Sequence, residues 1–243
     1  MWSVWSETVD VYLGQGLAML KAGAKEAIVS RSPATLPLER VLARLAESAA
    51  ASQVILKKGS RLRISLSGAW CPALAVTVPE GVTRWEERRQ IALASAARDM
   101  GTDLEQIACE IDATAPGAAA AIALPMREEL ERWAVQLGCR LVSVVPLWAT
   151  ATQSRLSRQR GTRSLLVIEP DAATLIASDG KNGFKTATLQ GEQDAASLQA
   201  YSQQWLQSLG LEDSGQAKLG FGLTPHPPMA TAPRRWAGHW YSA

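Results

Sequence analysis

The chain has 243 residues, 47% hydrophobic and 20% charged, which is enough for one large domain or two small ones with their own cores. Its 25 Lys and Arg against 23 Asp and Glu leave a net charge of +2, which excludes a whole-surface field for nucleic acid or anionic membrane. The three cysteines (Cys71, Cys109, Cys139) are widely spaced and the two histidines (His226, His239) sit near the C-terminus, excluding a zinc finger, a CxxC pair and a His-based catalytic site in the folded body. The cysteines are expected to be reduced, buried thiols of a cytosolic protein. The start, MWSVWSETVD, has neither a basic nor an apolar targeting region, and no apolar run approaches the roughly twenty residues that span a bilayer.

In chain order, Val9 to Gly14, Leu17 to Lys21 and Ala27 to Ser30 read as a meander of three short strands, with turns at Gly14-Gln15-Gly16 and Gly23. Leu38, Val41, Leu42, Leu45 and Ala49 lie at helical spacing behind Pro37. Arg61 to Ser67 and Leu74 to Val78 alternate with period two and read as a second strand pair, with Trp70 in its turn. Thr83-Arg84-Trp85-Glu86 has the form of a capping box, opening a helix that Gly101 stops. Strands are expected near Gln106 to Asp112 and Ala118 to Leu124, then a helix from Pro125 whose apolar stripe puts Trp133 in the core. Leu141 to Val145 reads as a strand and Pro146 to Arg158 as a helix running into the basic stretch SRLSRQRGTR, the expected link between halves. Ser164 to Glu169, Ala172 to Ser178 and Phe184 to Leu189 repeat the opening meander. A helix with Leu198, Tyr201, Trp205 and Leu209 on one stripe and a strand at Ala217 to Phe221 follow. The order βββα therefore occurs twice, which suggests duplication. The Pro- and Trp-rich end reads as a tail outside the fold.

Little in this pattern points to catalysis. A Walker A loop needs GxxxxGK[ST] running into a helix, whereas Gly14-Gln15-Gly16 runs into a strand and reads as a hairpin turn. No Ser or Cys stands beside a base, so neither a catalytic residue nor a metal-ligand set is expected. Glu86-Glu87 and Glu128-Glu129 lie among arginines on helices, where solvated pairing is the default. Of the basic clusters, only Arg234, Arg235 and Trp236, with Trp240 and Tyr241, interleave cations with aromatics. Those five are the expected partner-binding residues.

The stretch LLVIEPDAATLIASDGKNGFKTATL, preceded by GCRLVSVVPLWATATQSR, resembles actin-like ATPase-fold proteins of the PilM type and the cytoplasmic region of GspL-type secretion proteins. VDVYLGQGLAMLK is similar to their first phosphate-loop hairpin and VIEPDAATLI to their second. The resemblance spans most of residues 9–221. It implies an α/β (mixed α+β) chain with a duplicated actin-like (RNase H-like) fold of βββα halves, in a cytoplasmic component of a type IV pilus or type II secretion assembly platform. Residues 1–160 would form the first half with an inserted hairpin and helix, 161–222 the second half (βββαβ), and 223–243 the tail.

The departures from that family bear on activity. Where its nucleotide-binding members place an Asp for Mg²⁺ and water, two residues before the first glycine, this chain has Tyr12; Asp10 lies two residues further back on the same strand face. In the second hairpin the Asp-x-Gly pattern falls on Ile168-Glu169-Pro170, and Pro170 has no N–H to offer a phosphate. No Thr or Ser follows either position, and the residues after Leu219 leave no room for a subdomain enclosing adenosine. Gly14, Gln15, Gly16, Glu169 and Pro170 thus read as degenerate phosphate loops. The expectation is a non-enzymatic scaffold without cofactor, peripheral to the inner membrane through a membrane-protein segment held by β-augmentation or in a groove. The scaffold is expected to bind no nucleic acid and not to insert in the membrane, and a homodimer is left open. Two alternatives stay open: an ATPase using Asp10, Gln15 and Glu169, and a nucleic-acid-binding domain using the loop from Arg155 to Arg163.

Overall fold

The computed structural model describes residues 7–30, 36–111, 118–155, 162–178, 184–191, 193–211, 215–221 and 240–242. Strands β1 (Thr8–Leu13), β2 (Leu17–Ala22) and β3 (Lys25–Ser30) form the opening meander. Helix α1 (Leu38–Ala51) starts behind Pro37 and buries Val41, Leu42, Leu45 and Ala49 against it. Strand β4 (Arg61–Leu66) then runs parallel to β1. The chain next leaves this sheet for β5 (Ala73–Ala75), α2 (Trp85–Met100), β6 (Ile107–Ile111) and β7 (Ala118–Ala123). Helix α3 (Leu124–Gln136) brings it back to β8 (Arg140–Pro146), parallel to β4.

Helix α4 (Leu147–Arg155) leads to the second meander, β9 (Thr162–Ile168), β10 (Ala172–Ser178) and β11 (Phe184–Gln190). Helix α5 (Ala195–Ser208) follows, its N-terminus capped by Asp194, which accepts from the N–H groups of Ala196 and Ser197 at 3.1 and 2.9 Å. Strand β12 (Gly215–Phe221) runs parallel to β9. Two five-stranded sheets result, ordered β3-β2-β1-β4-β8 and β11-β10-β9-β12, the latter extended by β13 (Trp240–Ser242). The repeat read from element order is thus a repeat of sheet topology. A three-stranded sheet, β5-β7-β6, carries α2 and is inserted in the first half.

Period two along β1 and β9 sorts their side chains between two layers. Val9, Val11 and Leu13 face α1 and α3, where Leu130 and Trp133 complete the outer core. Tyr12 of β1 points the other way, into a core shared between halves with Leu147, Trp148 and Ala151 of α4 and with Leu165, Val167 and Phe221 of the second sheet. The rings of Tyr12 and Phe221 meet there at a tilt of 48°, their centres 4.4 Å apart. Leu166 faces α5, beside Leu198.

Three expectations are corrected. The segments 61–67 and 74–78 are not a strand pair: β4 sits between β1 and β8, and β5 pairs with β7 in the inserted sheet, because the buried small residues Gly68, Ala69, Cys71 and Ala73 carry the chain across to the second half. The capping box at Thr83 does not form; α2 starts after Arg84, with no side-chain bond to its first turn. The tail does not stay wholly outside, since Trp240–Ser242 pair antiparallel with Leu219–Phe221. All three cysteines are buried free thiols, and burial pushes Cys71 up to about 12 and Cys109 up to about 11.

Candidate functional site

The two hairpins that the sequence singles out face each other across the junction between halves. They share one backbone form: Gly14 N–H donates to the Leu17 carbonyl, and Glu169 N–H to the Ala172 carbonyl, both at 2.8 Å. This equivalence shifts the expected alignment by one residue. Glu169 stands at the place of Gly14, Pro170 at that of Gln15, and Asp171 at that of Gly16. The loop after β4, Ser67-Gly68, completes the junction.

Four polar contacts between these loops run from the first half to a carboxyl group of the second. Asp171 accepts from the N–H of Gln15 through Oδ2, and from the Ser67 hydroxyl through Oδ1 at 2.9 Å. Glu169 accepts from Gly68 N–H through Oε1 and from the Tyr12 hydroxyl through Oε2, both at 3.0 Å. Asp171 and Glu169 are each 5% exposed. Two glycines permit the approach. A Cβ on Gly14 would lie 3.0 Å from Asp171 Oδ2, and one on Gly68 would lie 2.8 Å from Thr174 Oγ1 and 3.2 Å from Ala172 Cβ. Pro170 packs over Gly16.

A second feature lies beside this junction. Strand β8 ends its sheet, and on its open side a groove of about 740 Å³ separates it from β6 and β7. Leu141 to Pro146 form one wall and Ala108, Glu110 and Ile111 of β6 the other. Trp148 of α4 lines it, fixed by an indole N–H bond to the Cys71 carbonyl at 2.8 Å. Ile176 and Phe184 of the second half also line it, so both halves form the groove. The charged groups there are Glu110, Arg127 and Glu131, with Arg127 bonded to Glu131 at 2.9 Å.

No family model matches the chain, and no curated protein matches it either. Solved structures do. A protein of Bacteroides thetaiotaomicron with an actin-like ATPase fold and unknown function superposes with a TM-score of 0.57 at 11% identity, over 90% of this chain and 83% of that one. The fold is actin-like. The PilM–PilN type IV pilus biogenesis complex is similar over 85% of this chain and 68% of its own, with a TM-score of 0.55 at 13% identity. The cytoplasmic domain of EpsL, an inner-membrane component of the Vibrio cholerae type II secretion system, covers 94% of this chain and 87% of its own, at a TM-score of 0.47 and 11% identity.

Within this actin-like frame, burial and the neighbouring Asp171 push Glu169 up to about 8, against the bonds from Gly68 and Tyr12, so it holds a proton at neutral pH. Burial and the same two carboxylates hold the Tyr12 phenol well above its usual range. Asp10, on the strand face shared with Tyr12, is taken by Arg63 of β4 through a two-pronged ion pair at 2.7 and 2.9 Å. Burial nevertheless raises Asp10, outweighing Arg63. Among the described residues no three His, Cys, Asp or Glu side chains converge as a metal site, and no helix is long and apolar enough to cross a membrane.

The structure brings Gly14, Gln15, Gly16, Glu169 and Pro170 into one junction. Trp240 and Tyr241 fall in β13, while Arg234, Arg235, Trp236, Arg158 and Arg160 lie outside the described residues. Asp171, Ser67 and Gly68 escape a reading by motif. Asp171 lies one residue beyond the expected pattern, and Ser67-Gly68 is more than a hundred residues from its partners.

Proposed function

We propose that the chain is a non-enzymatic scaffold that holds an extended segment of a membrane-protein partner at the cytoplasmic face of a pilus or secretion assembly platform. One observation carries this reading: the groove beside the open edge of β8. An unpaired strand edge offers main-chain groups to an added strand, and the apolar walls offer pockets for its alternate side chains. Seven residues of β8 give an edge of about 20 Å, at about 3.3 Å per residue. The likeness to a PilM–PilN complex supports this, since there the same fold is assembled with a second protein.

The ATPase alternative is less well supported. Asp10 is paired with Arg63, the Gln15 N–H with Asp171, and Glu169 with Gly68 and Tyr12, so none of the three is offered to a ligand. No observation on the described residues favours nucleic acid. The segment from Arg234 to Tyr241 is proposed as an auxiliary contact.

The test is calorimetric titration of the full chain with synthetic cytoplasmic segments of inner-membrane pilus and secretion proteins from the same organism. One segment should bind, and Val145→Asp, which puts a charge on a groove wall residue already 40% exposed, should abolish binding. Truncation before residue 224 should leave most of the affinity. Failure of every segment, or binding indifferent to Val145→Asp, overturns the groove reading.

A further inference from the structure

The resemblance places the phosphates of a nucleotide between the two hairpins, and the residues present there do not fit one. The N–H of Gln15 and the hydroxyl of Ser67 are occupied by Asp171, and the N–H of Gly68 and the hydroxyl of Tyr12 by Glu169. The loops touch so closely that neither Gly14 nor Gly68 has room for a Cβ, and Pro170 covers Gly16. An arriving phosphate would find these four donors occupied, no space, and buried carboxyl groups in its way.

The donors themselves are those of an oxyanion site. Two main-chain N–H groups and two hydroxyls converge from β1, the first hairpin and the loop after β4, and their partners are four carboxyl oxygens from one three-residue turn. Backbone N–H groups gathered at a turn bind anions generally. We infer that the Asp171 carboxylate is a tethered anion, with the Glu169 carboxyl group seated beside it: the second hairpin permanently fills an oxyanion site of the first half, latching the halves together as a bound ligand would. The site is thus retained in its donors and closed to free ligands. No bond is made or broken, and removal of the Asp171 carboxylate should reopen the part formed by Gln15 and Ser67 to a small tetrahedral oxyanion.

Inorganic phosphate is the probe, compared with sodium chloride at matched ionic strength. The wild-type chain should show no rise in Tm with phosphate or with Mg-ATP. Asp171→Gly should lose several degrees in chloride and recover part of them in phosphate, with a saturating dose dependence that Ser67→Ala in the same background weakens. A phosphate- or Mg-ATP-dependent rise in the wild-type Tm overturns the inference, and so does an Asp171→Gly chain as indifferent to phosphate as the wild type. Should that variant fail to fold, amide exchange of the wild type decides. The Gln15 and Gly68 amides should be protected in anion-free buffer, with resonances that phosphate does not move. Rapid exchange, or a phosphate-dependent shift, refutes the latch.

Discussion

The two halves share a strand order and a hairpin form, yet they divide the junction's chemistry unequally. The first half supplies the donors, Tyr12, Gln15, Ser67 and Gly68; the second supplies only acceptors, Glu169 and Asp171. Equivalent backbone turns have become complementary because glycine-flanked Gln15 leaves an N–H bare for approach, whereas Pro170, at the same place, has none. The outer edges differ as well. In the first half β8 borders a groove over six residues, Leu141 to Pro146, while in the second β11 is propped by β5, through Ala73 N–H to Thr188 at 3.0 Å and Thr186 to the Ala73 carbonyl at 3.2 Å. One half thus offers an edge and the other is used up in holding the first.

This asymmetry can be broken at its tightest point. Gly68→Val drives a branched side chain into Thr174 and Ala172 and should cost about 4 kcal/mol in denaturant unfolding, or prevent folding. Gly59→Val should cost much less, since nothing lies within 4 Å of that site and only its positive φ is strained. Equal losses would remove the close approach as the cause. Removing an acceptor instead, Asp171→Ala leaves the Gln15 N–H and Ser67 hydroxyl without their partner and should cost about 3 kcal/mol. A loss below about 0.5 kcal/mol would mean that the carboxylate does not hold the halves.

A pH titration sharpens the comparison further. Glu169 keeps its proton in the folded chain up to about 8 but loses it near 4.5 when unfolded. Between those values the native state holds the extra proton, so stability should fall as pH rises, by about 1.4 kcal/mol per pH unit at most, and level off above 8. The groups facing it are Tyr12, Asp171, Cys71 and the Gly68 N–H; the Gly68 N–H and the Tyr12 hydroxyl favour its charged form, and Asp171 opposes it. Glu169→Gln should flatten the slope while the fold persists. A slope unchanged by Glu169→Gln would assign the proton elsewhere, with Asp10 the next group whose burial raises it. The smallest stability effect belongs to Val145→Asp on the open edge, within about 0.5 kcal/mol, because a surface change away from caps and cores rarely does more. A larger loss would mark that edge as structural.

Much of the fold was legible in residue order. Period-two runs placed the meanders, and the stripe Val41, Leu42, Leu45, Ala49 placed α1, because those signals are local and buried faces enforce them. Trp133 fell in the core as its stripe implied, and Gly101 ends α2 in the left-handed conformation expected of it. Local signals failed where a distant contact decided. The capping box at Thr83 matches a pattern but forms no bond, and the run after Ser67 alternates like a hairpin partner while joining another sheet. The candidate site was half visible: turn chemistry marked both hairpins, but Asp171, Ser67 and Gly68 carry no motif.

Length, the +2 charge, the duplicated βββα order and the lack of a nucleophile beside a base are properties of the sequence alone, set by composition and near-neighbour patterning. Tertiary structure decided what the two marked hairpins do. Whether a buried carboxyl group meets a metal, a phosphate or its own chain depends on donors brought within 3 Å from 101 to 157 residues away, and sequence spacing carries no information about that approach. The groove has the same origin, since its walls come from strands of both halves and from helices α3 and α4, which only the packed sheets bring together.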